Sequence, residues 1–409
     1  MSTDIPPPLP LIDTLEHIKH QSLPERLPPE QRNDLKITLQ FLQSYNGSQG
    51  TFNSYRREIE KLLHWIWVVA HKTLETIRPE HIQEFIAFCK NPPLSWIGTN
   101  KVPRFIEESG LRSPNPQWRP FVVTLSKIAH RKGDKLDPKN FELSQGSIKE
   151  TFAILSSFYT YLQQEEYVYM NPVALVRQKS KFIRTQQGSP KIRRLSELQW
   201  NTVIIRARKM ADVNPKVHER TLFILSALYA MYLRISELAA SDRWIPMMNH
   251  FFKDSDGNWW FNTVGKGNKE RQIAVSNAML EALKRWRTHL NLSPLPTLAN
   301  NTNLLPKTKG KGPISSINYI RTIVQTAFDN AVESLRADGH QEESEALLEA
   351  TVHWLRHTGI SDDVKRRPRE HVRDDAGHSS SATTDKYIDI ELRERHQSAK
   401  HKEISDEQT

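Results

Sequence analysis

One basic, irregular segment divides this sequence and most constrains its possible folds. Residues 177–194, RQKSKFIRTQQGSPKIRR, carry seven lysines or arginines and no acidic residue. Gly188 and Pro190 interrupt any regular pattern there, whereas patterned sequence lies on both sides. A chain of 409 residues is also too long for one ordinary hydrophobic core. We therefore expect two domains joined by a basic linker.

Helical periodicity predicts a mainly helical first domain over residues 35–176. Apolar residues recur at helical spacing in three segments, and Ser147 and Glu150 have capping-box spacing at the start of the third. The expected inward-facing residues are Phe52, Tyr55, Ile59, Leu62, Leu63 and Ile66, then Ile82, Phe85 and Ile86, then Ile148, Phe152, Leu155, Phe158 and Leu162. Residues 91–140 hold seven prolines and are interpreted as a partly helical insertion. Residues 1–34 also hold seven prolines and are interpreted as a flexible tail.

The second domain, residues 195–395, is expected to be helical with a small sheet. It opens with a capping-box pair, Ser196 and Gln199. Residues 249–275 change period and predict three short antiparallel strands joined by the turns SDG and GKGN. Helices are expected again from about residue 315, and 396–409 form a polar tail. The predicted fold class is therefore mainly α with a small antiparallel β-sheet, in two domains.

Composition indicates the cellular compartment of the protein and the chemical class of its partner. The net charge is +10 and the isoelectric point is about 9.5, which favours a polyanionic partner such as nucleic acid. Cys89 is the only cysteine, so neither an intramolecular disulfide nor a cysteine-rich zinc site is possible. The N-terminus does not resemble a signal peptide, and the apolar run 221–233 is too short to span a bilayer. We expect a soluble protein of the reducing cytoplasm, without a membrane partner.

Four clusters in the second domain carry side chains suited to phosphate chemistry. They are YLRISEL with Arg234 and Glu237, VGKGNKER with Lys266, HWLRHT with His353 and Arg356, and GHSSSATTDKY with His378 and Tyr387. Taken singly, each has a structural explanation: a charge at a helix end, a solvated turn lysine, packed histidines or a core tyrosine. The functional interpretation depends on the whole set and its order.

Metal-free cleavage of a DNA strand needs the chemical groups that these clusters supply. Arginine is permanently charged and can bind two phosphate oxygens at once, so it can hold the charge that develops on the nonbridging oxygens. Lysine can protonate the departing sugar oxygen. A tyrosine hydroxyl, with a pKa near ~10, attacks phosphorus readily only with help from neighbouring cations or a base.

In this order the motifs resemble those of the tyrosine recombinases, the phage integrase family. The shared elements are Arg-Ile-Ser-Glu-Leu, a lysine in a β-hairpin turn, His-x-x-Arg-His, and Gly-His-Ser-Ser with a tyrosine nine residues after the histidine. The resemblance covers about residues 35–395, more loosely in the first domain, which resembles the family's core-binding domain. It implies a site-specific DNA recombinase without a cofactor or a metal.

The resemblance also implies a role for each cationic residue. Arg234 and Arg356 are expected to clamp the scissile phosphate, and Glu237 to support the site. Lys266 is expected to protonate the leaving 5′ oxygen. Lys269 is the alternative for that role, but Lys266 stands at the matching place in the turn.

The remaining roles concern the nucleophile and its histidines. Tyr387 is expected to form a 3′-phosphotyrosyl link, which another strand's 5′ hydroxyl can reverse. His353 is expected to assist proton transfer to or from Tyr387, and His378 to hydrogen-bond the phosphate.

Double-stranded DNA is the expected partner, bound by the two domains as a C-shaped clamp. The basic linker is expected to contact phosphates through Arg177, Lys179, Lys181, Arg184, Lys191, Arg193 and Arg194. The resemblance further implies a synaptic tetramer on two DNA sites, with accessory DNA-bending proteins as an option, in a bacterial, nucleoid-associated setting. Subunit contacts and a frayed polar end are both open interpretations of the segment after Tyr387.

The chain also departs from the family pattern. After LRHT, the stretch GISDDVKRRPREHVRDDAGH is highly charged and contains Pro368. Only Ile360, Val364, Val372 and Ala376 offer apolar support there. The acidic stretch at about 330–350 looks like a second, helical insertion. These departures suggest a distinct branch, such as the integrase of a mobile element.

Three other functions remain open on the sequence alone. A topoisomerase would share the chemistry but only relax DNA, and a DNA-binding regulator would keep the fold without the reaction. A metal hydrolase is suggested by the histidines, but Trp354 stands where a zinc-protease helix has its glutamate.

Overall fold

The computed structural model divides into two compact units, Met1–Gly188 and Ser189–Thr409. It describes residues 5–21, 23–24, 27–45, 48–108, 110–179, 193–265, 267–378, 380, 383–384 and 399–400, with the side chains of 108, 178 and 179 left aside. The division falls within the segment that the sequence predicts as a linker. Among the predicted functional residues, Lys181, Arg184, Lys191, Lys266 and Tyr387 lie outside the described residues, as does the side chain of Lys179.

The described part of the first unit is a helical assembly with two small strand pairs. Its helices are α1 (Pro29–Gln43), α2 (Gln49–Val68), α3 (Pro79–Lys90), α4 (Lys127–Arg131), α5 (Gln145–Gln164) and α6 (Pro172–Lys179). Its strands are β1 (Ile97–Gly98), β2 (Phe105–Glu108), β3 (Leu111–Pro114) and β4 (Phe121–Val122). The pair β1 and β4 is parallel, whereas β2 and β3 form an antiparallel hairpin. The described part of the predicted insertion is therefore mostly loop and short strand, with the α-helix α4 and two 3-10 helices, Leu94–Trp96 and Pro138–Asn140.

The predicted pattern of inward-facing residues is confirmed in helices α2, α3 and α5 of the first unit. Every residue predicted to face inward is buried, except that Tyr55 is half-buried. The predicted start of the third helix is wrong. Ser144, not Ser147, caps α5: its hydroxyl accepts a hydrogen bond from the Ser147 amide at 3.1 Å. Ser144 has the extended backbone that a capping residue needs, whereas Ser147 already lies in the first turn.

The prediction of a flexible tail over residues 1–34 is wrong for the segment before α1. Ile12 and Ile18 are fully buried in the core of the first unit, and α1 itself begins at Pro29. The buried carboxylate of Glu60 accepts hydrogen bonds from the amides of Leu11, at 2.5 Å, and Ile12, at 3.1 Å. Prolines disfavour an α-helix here but do not prevent burial, because Glu60 on α2 accepts hydrogen bonds from two of the backbone amides.

We predict that Ile12→Ala lowers the free energy of unfolding by about 2–5 kcal/mol, because it removes buried methyl groups and leaves a cavity. Urea unfolding of the full chain, followed by tryptophan fluorescence, measures the change. Leu111→Ala is the matched control, since Leu111 is 75% exposed. Equal stability of the two variants would contradict the docking of this segment.

The described part of the second unit combines helices with one three-stranded sheet. Its helices are α7 (Glu197–Val213), α8 (Pro215–Ala230), α9 (Ile235–Leu238), α10 (Asn277–His289), α11 (Ile317–Ala337), α12 (Gln341–Leu348), α13 (Val352–Asp363) and α14 (Arg369–Ala376). Its strands β5 (Phe251–Lys253), β6 (Trp259–Val264) and β7 (Glu270–Ala274) pair antiparallel in the order β5-β6-β7. The predicted fold class, mainly helical with a small antiparallel sheet, is confirmed.

One local prediction for the second unit is confirmed by its first helix. Ser196 and Gln199 form the expected capping box at the start of α7. The apolar run 221–233 lies mainly in α8, whose residues 222–225 are buried. Across the described residues, no helix combines the length and apolar character that crossing a membrane requires.

Candidate active site

The site begins at the short helix α9, which follows α8 after a tight turn. Tyr232, within that turn, has a left-handed backbone with φ of 49°. Arg234 is the N-cap of α9, and the Glu237 carboxylate accepts hydrogen bonds from its backbone amide at 2.7 Å and from its guanidinium at 3.0 Å. The Glu237 side chain is 1% exposed, whereas that of Arg234 is 28% exposed. Glu237 therefore holds Arg234 by its backbone amide and its guanidinium, and the arginine side chain is still accessible from solvent.

A second arginine, Arg271 on β7, holds the other side of Glu237. Its two terminal nitrogens donate to the two carboxylate oxygens of Glu237 at 2.6 and 2.8 Å. Its Nε donates to the backbone carbonyl of Asp375 on α14 at 3.0 Å. Sequence reasoning missed Arg271. The available signal was its position two residues before the buried Ile273, which puts both on one face of the strand.

The two arginines keep Glu237 ionised. Burial raises the pKa of Glu237. Hydrogen bonds and charge from Arg271, followed by those from Arg234, lower the pKa by more than burial raises it. The net pKa lies below the ordinary value of 4.5. Glu237 is therefore a carboxylate throughout the neutral range, and it partly neutralises an otherwise cationic site.

Arg356 on α13 contacts two backbone carbonyls. It is buried, and its guanidinium donates to the carbonyl of Tyr232 and, at 2.5 Å, to that of Ala376. Close helix packing makes this possible, because a Cβ at Gly359 would overlap the carbonyl oxygen of Tyr229 on α8. Only glycine lets α13 approach α8 so closely.

Three histidines lie near these arginines. His353 and His357 stand one turn apart on α13, with ring centroids separated by 4.3 Å. His378 follows α14, and its Nδ1 lies 2.9 Å from the Thr384 hydroxyl. Burial lowers the pKa of His357 and of His378 to about 4, and nearby positive groups add to the effect. The pKa of His353 is lowered for the same reasons, so all three rings are neutral at pH 7.

The structure therefore brings most of the predicted catalytic residues that it describes into one cluster. The charges of Arg234 and Arg356 act on both His353 and His378, and Arg271 also acts on His378. Such a group of guanidinium cations and neutral imidazoles can bind a phosphate-like anion through charge-assisted hydrogen bonds. The described residues contain no group of three His, Cys, Asp or Glu side chains placed to hold a metal ion.

Lys266 itself is not described, but its neighbour in the chain is. A Cβ at Gly265 would lie 3.1 to 3.4 Å from side-chain atoms of Arg271, Glu237 and Arg234. The turn before β7 thus starts against the arginine cluster. The alternative lysine, Lys269, is exposed.

The charged stretch after α13 packs on a small apolar cluster. Tyr232, Ile360, Val372 and Ala376 are buried together, and Val364 packs against them. These include all four apolar residues that the sequence offers there. Pro368 does not disrupt a helix, because it is the N-cap of α14.

The structure describes the side chains of three of the seven predicted linker residues. Arg177 and Arg193 are exposed, and Arg194 lies 3.9 Å from Asp362. Their contact with DNA stays a prediction.

Comparison with known proteins agrees with the motif order. No family model matches the chain. A tyrosine recombinase XerC of Bacillus licheniformis is 28% identical over 184 residues, which are 44% of this chain and 50% of that protein. The XerC of Bacillus pumilus is 24% identical over 253 residues, or 61% and 72% of the two chains. Over these residues the chain is similar to tyrosine recombinases.

Solved structures of a site-specific recombinase have the same fold. The XerH site-specific recombinase in a post-cleavage complex with palindromic difH substrate superposes with a TM-score of 0.56 at 15% identity, over 95% of this chain and 93% of that one. Its pre-cleavage complex superposes with a TM-score of 0.51 over the same shares. The chain spans about half the length of the first XerC relatives that it matches.

We predict that Glu237→Gln lowers the free energy of unfolding at pH 7 by about 3–5 kcal/mol, because it leaves the guanidinium of Arg271, which is 9% exposed, without its carboxylate. Since the folded pKa of Glu237 is depressed, its contribution is present above pH 4.5 and is lost as the pH falls through the lower folded value. The difference between wild type and variant should therefore shrink below pH 4.5.

Denaturant titrations of both proteins at a series of pH values measure that difference. Glu281→Gln is the control, because Glu281 is 71% exposed and forms only a surface pair with Lys284. A difference that stayed constant with pH would contradict the ionised state of Glu237.

Proposed function

We propose that this chain is a site-specific DNA recombinase that cuts and rejoins double-stranded DNA through a 3′-phosphotyrosyl intermediate on Tyr387. The observation that carries the proposal is the convergence of Arg234, His353, Arg356 and His378 in one cationic, partly accessible site. These residues occur in the order typical of tyrosine recombinases. The XerH complexes with difH substrate support DNA as the partner.

The reaction replaces one phosphate ester by another. The Tyr387 oxygen attacks phosphorus, a bond to the tyrosyl oxygen forms, and the bond to the 5′ oxygen breaks. Arg234 and Arg356 neutralise the charge on the nonbridging oxygens, which is usually the largest catalytic effect. His378 donates a hydrogen bond to one of these oxygens.

Two protons move during this step. His353 accepts the proton from the Tyr387 hydroxyl, for which its lowered pKa is suited because the ring is neutral at pH 7. Lys266 gives a proton to the departing 5′ oxygen. The phosphodiester energy is conserved in the tyrosyl ester, so the 5′ hydroxyl of another strand can reverse the step.

The two units take different parts in this proposal. Residues 35–176 contribute a helical DNA-binding domain, residues 195–395 carry the catalytic groups, and the basic linker contacts the phosphate backbone. Strand exchange would join four protomers on two DNA sites, with accessory DNA-bending proteins as an option.

We predict that Tyr387→Phe binds DNA like wild type but forms no covalent adduct, because the phenyl ring lacks the attacking oxygen. Wild type and variant are incubated with fragmented, nicked DNA from the source genome, denatured and separated on a gel. Tyr319→Phe is the control, since Tyr319 is 43% exposed and lies in a different helix from the site residues.

Three outcomes of that assay are informative. Adducts with wild type and Tyr319→Phe alone support the proposal, and adducts with Tyr387→Phe would assign the nucleophile elsewhere. DNA binding without any adduct would instead favour a regulator that has lost the reaction.

We predict that DNA affinity falls steeply with salt, and that the linker contributes part of that dependence. Changing Lys181, Arg184 and Lys191 to Gln should reduce the slope of log affinity against log salt by up to about 3, since each phosphate contact adds about 0.9. Fluorescence anisotropy at several salt concentrations measures the slope. An unchanged slope would contradict phosphate contacts by these residues.

A further inference from the structure

Arg271 joins three separate segments of the candidate active site. It lies on β7, its terminal nitrogens bind both oxygens of Glu237 on α9, and its Nε binds the Asp375 carbonyl at the end of α14. The side chain is 9% exposed. It is therefore an internal connection and is poorly placed to contact a substrate directly.

The same side chain packs against the residues that precede two catalytic positions. A Cβ at Gly377 would lie 2.9 Å from Cδ of Arg271, and a Cβ at Gly265 would lie 3.1 Å from its Nη1. Gly377 precedes His378, and Gly265 precedes Lys266. Arg271 thus occupies the space that a side chain at either glycine would need.

A second contact strengthens the connection between β7 and α14. The carboxylate of Asp375 accepts a hydrogen bond from the Ala274 amide at 3.2 Å and another from Arg367 at 2.6 Å. The Arg367 guanidinium also donates to the Tyr232 hydroxyl at 3.0 Å. The end of α14 is therefore held both to the strand of Arg271 and to the turn whose carbonyl binds Arg356.

We propose that Arg271 is a positioning residue for phosphoryl transfer, which orients Arg234 through Glu237 and His378 through the backbone of Asp375 and Gly377. This inference rests on the proposed function. Arg271 acts through these groups and does not touch the phosphate. Its effect on rate comes from geometry, because a displacement of about 1 Å at a reacting group can cost on the order of 100-fold.

Lysine cannot replace arginine in this position. The planar guanidinium reaches two carboxylate oxygens and one carbonyl in fixed directions, whereas an ammonium is a point charge on a flexible chain. Arg271→Lys therefore keeps a cation beside Glu237 and preserves the buried ion pair. It loses the simultaneous contact with Asp375.

The test compares Arg271→Lys with Arg285→Lys in the full-length protein. Arg285 also binds a buried carboxylate in bidentate geometry, Glu219, at 2.6 and 2.8 Å, but in contacts separate from the Arg271 network. Adduct formation on nicked DNA, DNA affinity and the free energy of unfolding are measured for both. We expect Arg271→Lys to slow adduct formation by on the order of 100-fold at near-normal affinity, and Arg285→Lys to keep the wild-type rate.

A second measurement needs no DNA and therefore separates this inference from the proposed function. The pKa of His378 is followed by NMR of histidine-labelled protein, with the signal assigned by His378→Gln. The charged or titratable groups acting on or coupled to this ring are Arg234, Arg271, His353, Arg356 and His357. Loosening the backbone before His378 hydrates the ring, so its pKa should rise from about 4 towards 6.5 in Arg271→Lys alone.

Each outcome decides the inference. A slowed reaction together with a raised His378 pKa, both confined to Arg271→Lys, supports it. Wild-type adduct rates in Arg271→Lys, an equal loss in Arg285→Lys, or an unchanged His378 pKa would overturn it. If wild type itself forms no adduct, the proposed function fails, and the His378 titration alone decides whether Arg271 positions the site.

Discussion

The candidate site of the second unit depends on one buried carboxylate between two arginines. Glu237 is almost completely inaccessible to solvent, yet it stays ionised because Arg234 and Arg271 donate to its oxygens from two sides. Without that anion, the guanidinium of Arg271, which is 9% exposed, would lose its charged partner, which is strongly unfavourable. The carboxylate thus allows positive charge to be concentrated at this site and also fixes the direction of each arginine.

Another arginine of the site, Arg356, is held by backbone groups. Arg356 binds carbonyls of the turn before α9 and of the end of α14, and Gly359 allows the close helix contact that brings them together. The imidazoles are surrounded by cations and partly buried, so they remain neutral. A neutral ring can donate one hydrogen bond and accept another, which suits both proton transfer and phosphate binding.

The sequence predicted the features that depend on local pattern. The inward-facing helical residues, the Ser196 cap and the three antiparallel strands follow from residue spacing. The roles that the motif order assigns to Arg234, Arg356 and His378 stay predictions. Features that depend on distant partners were missed. Burial of Ile12 requires Glu60 on α2, and a lone arginine in a strand gives no sign that it will meet Glu237 and Asp375. Two residues proposed for the site, Lys266 and Tyr387, lie outside the described residues.

The most direct test of the central claim identifies the residue that becomes linked to DNA. Wild-type adducts on nicked DNA are digested with nuclease and trypsin, and the modified peptide is sequenced by mass spectrometry. The account predicts a nucleotide on Tyr387 within the peptide YIDIELR, residues 387–393. A nucleotide on any other residue, with this peptide unmodified, would contradict it.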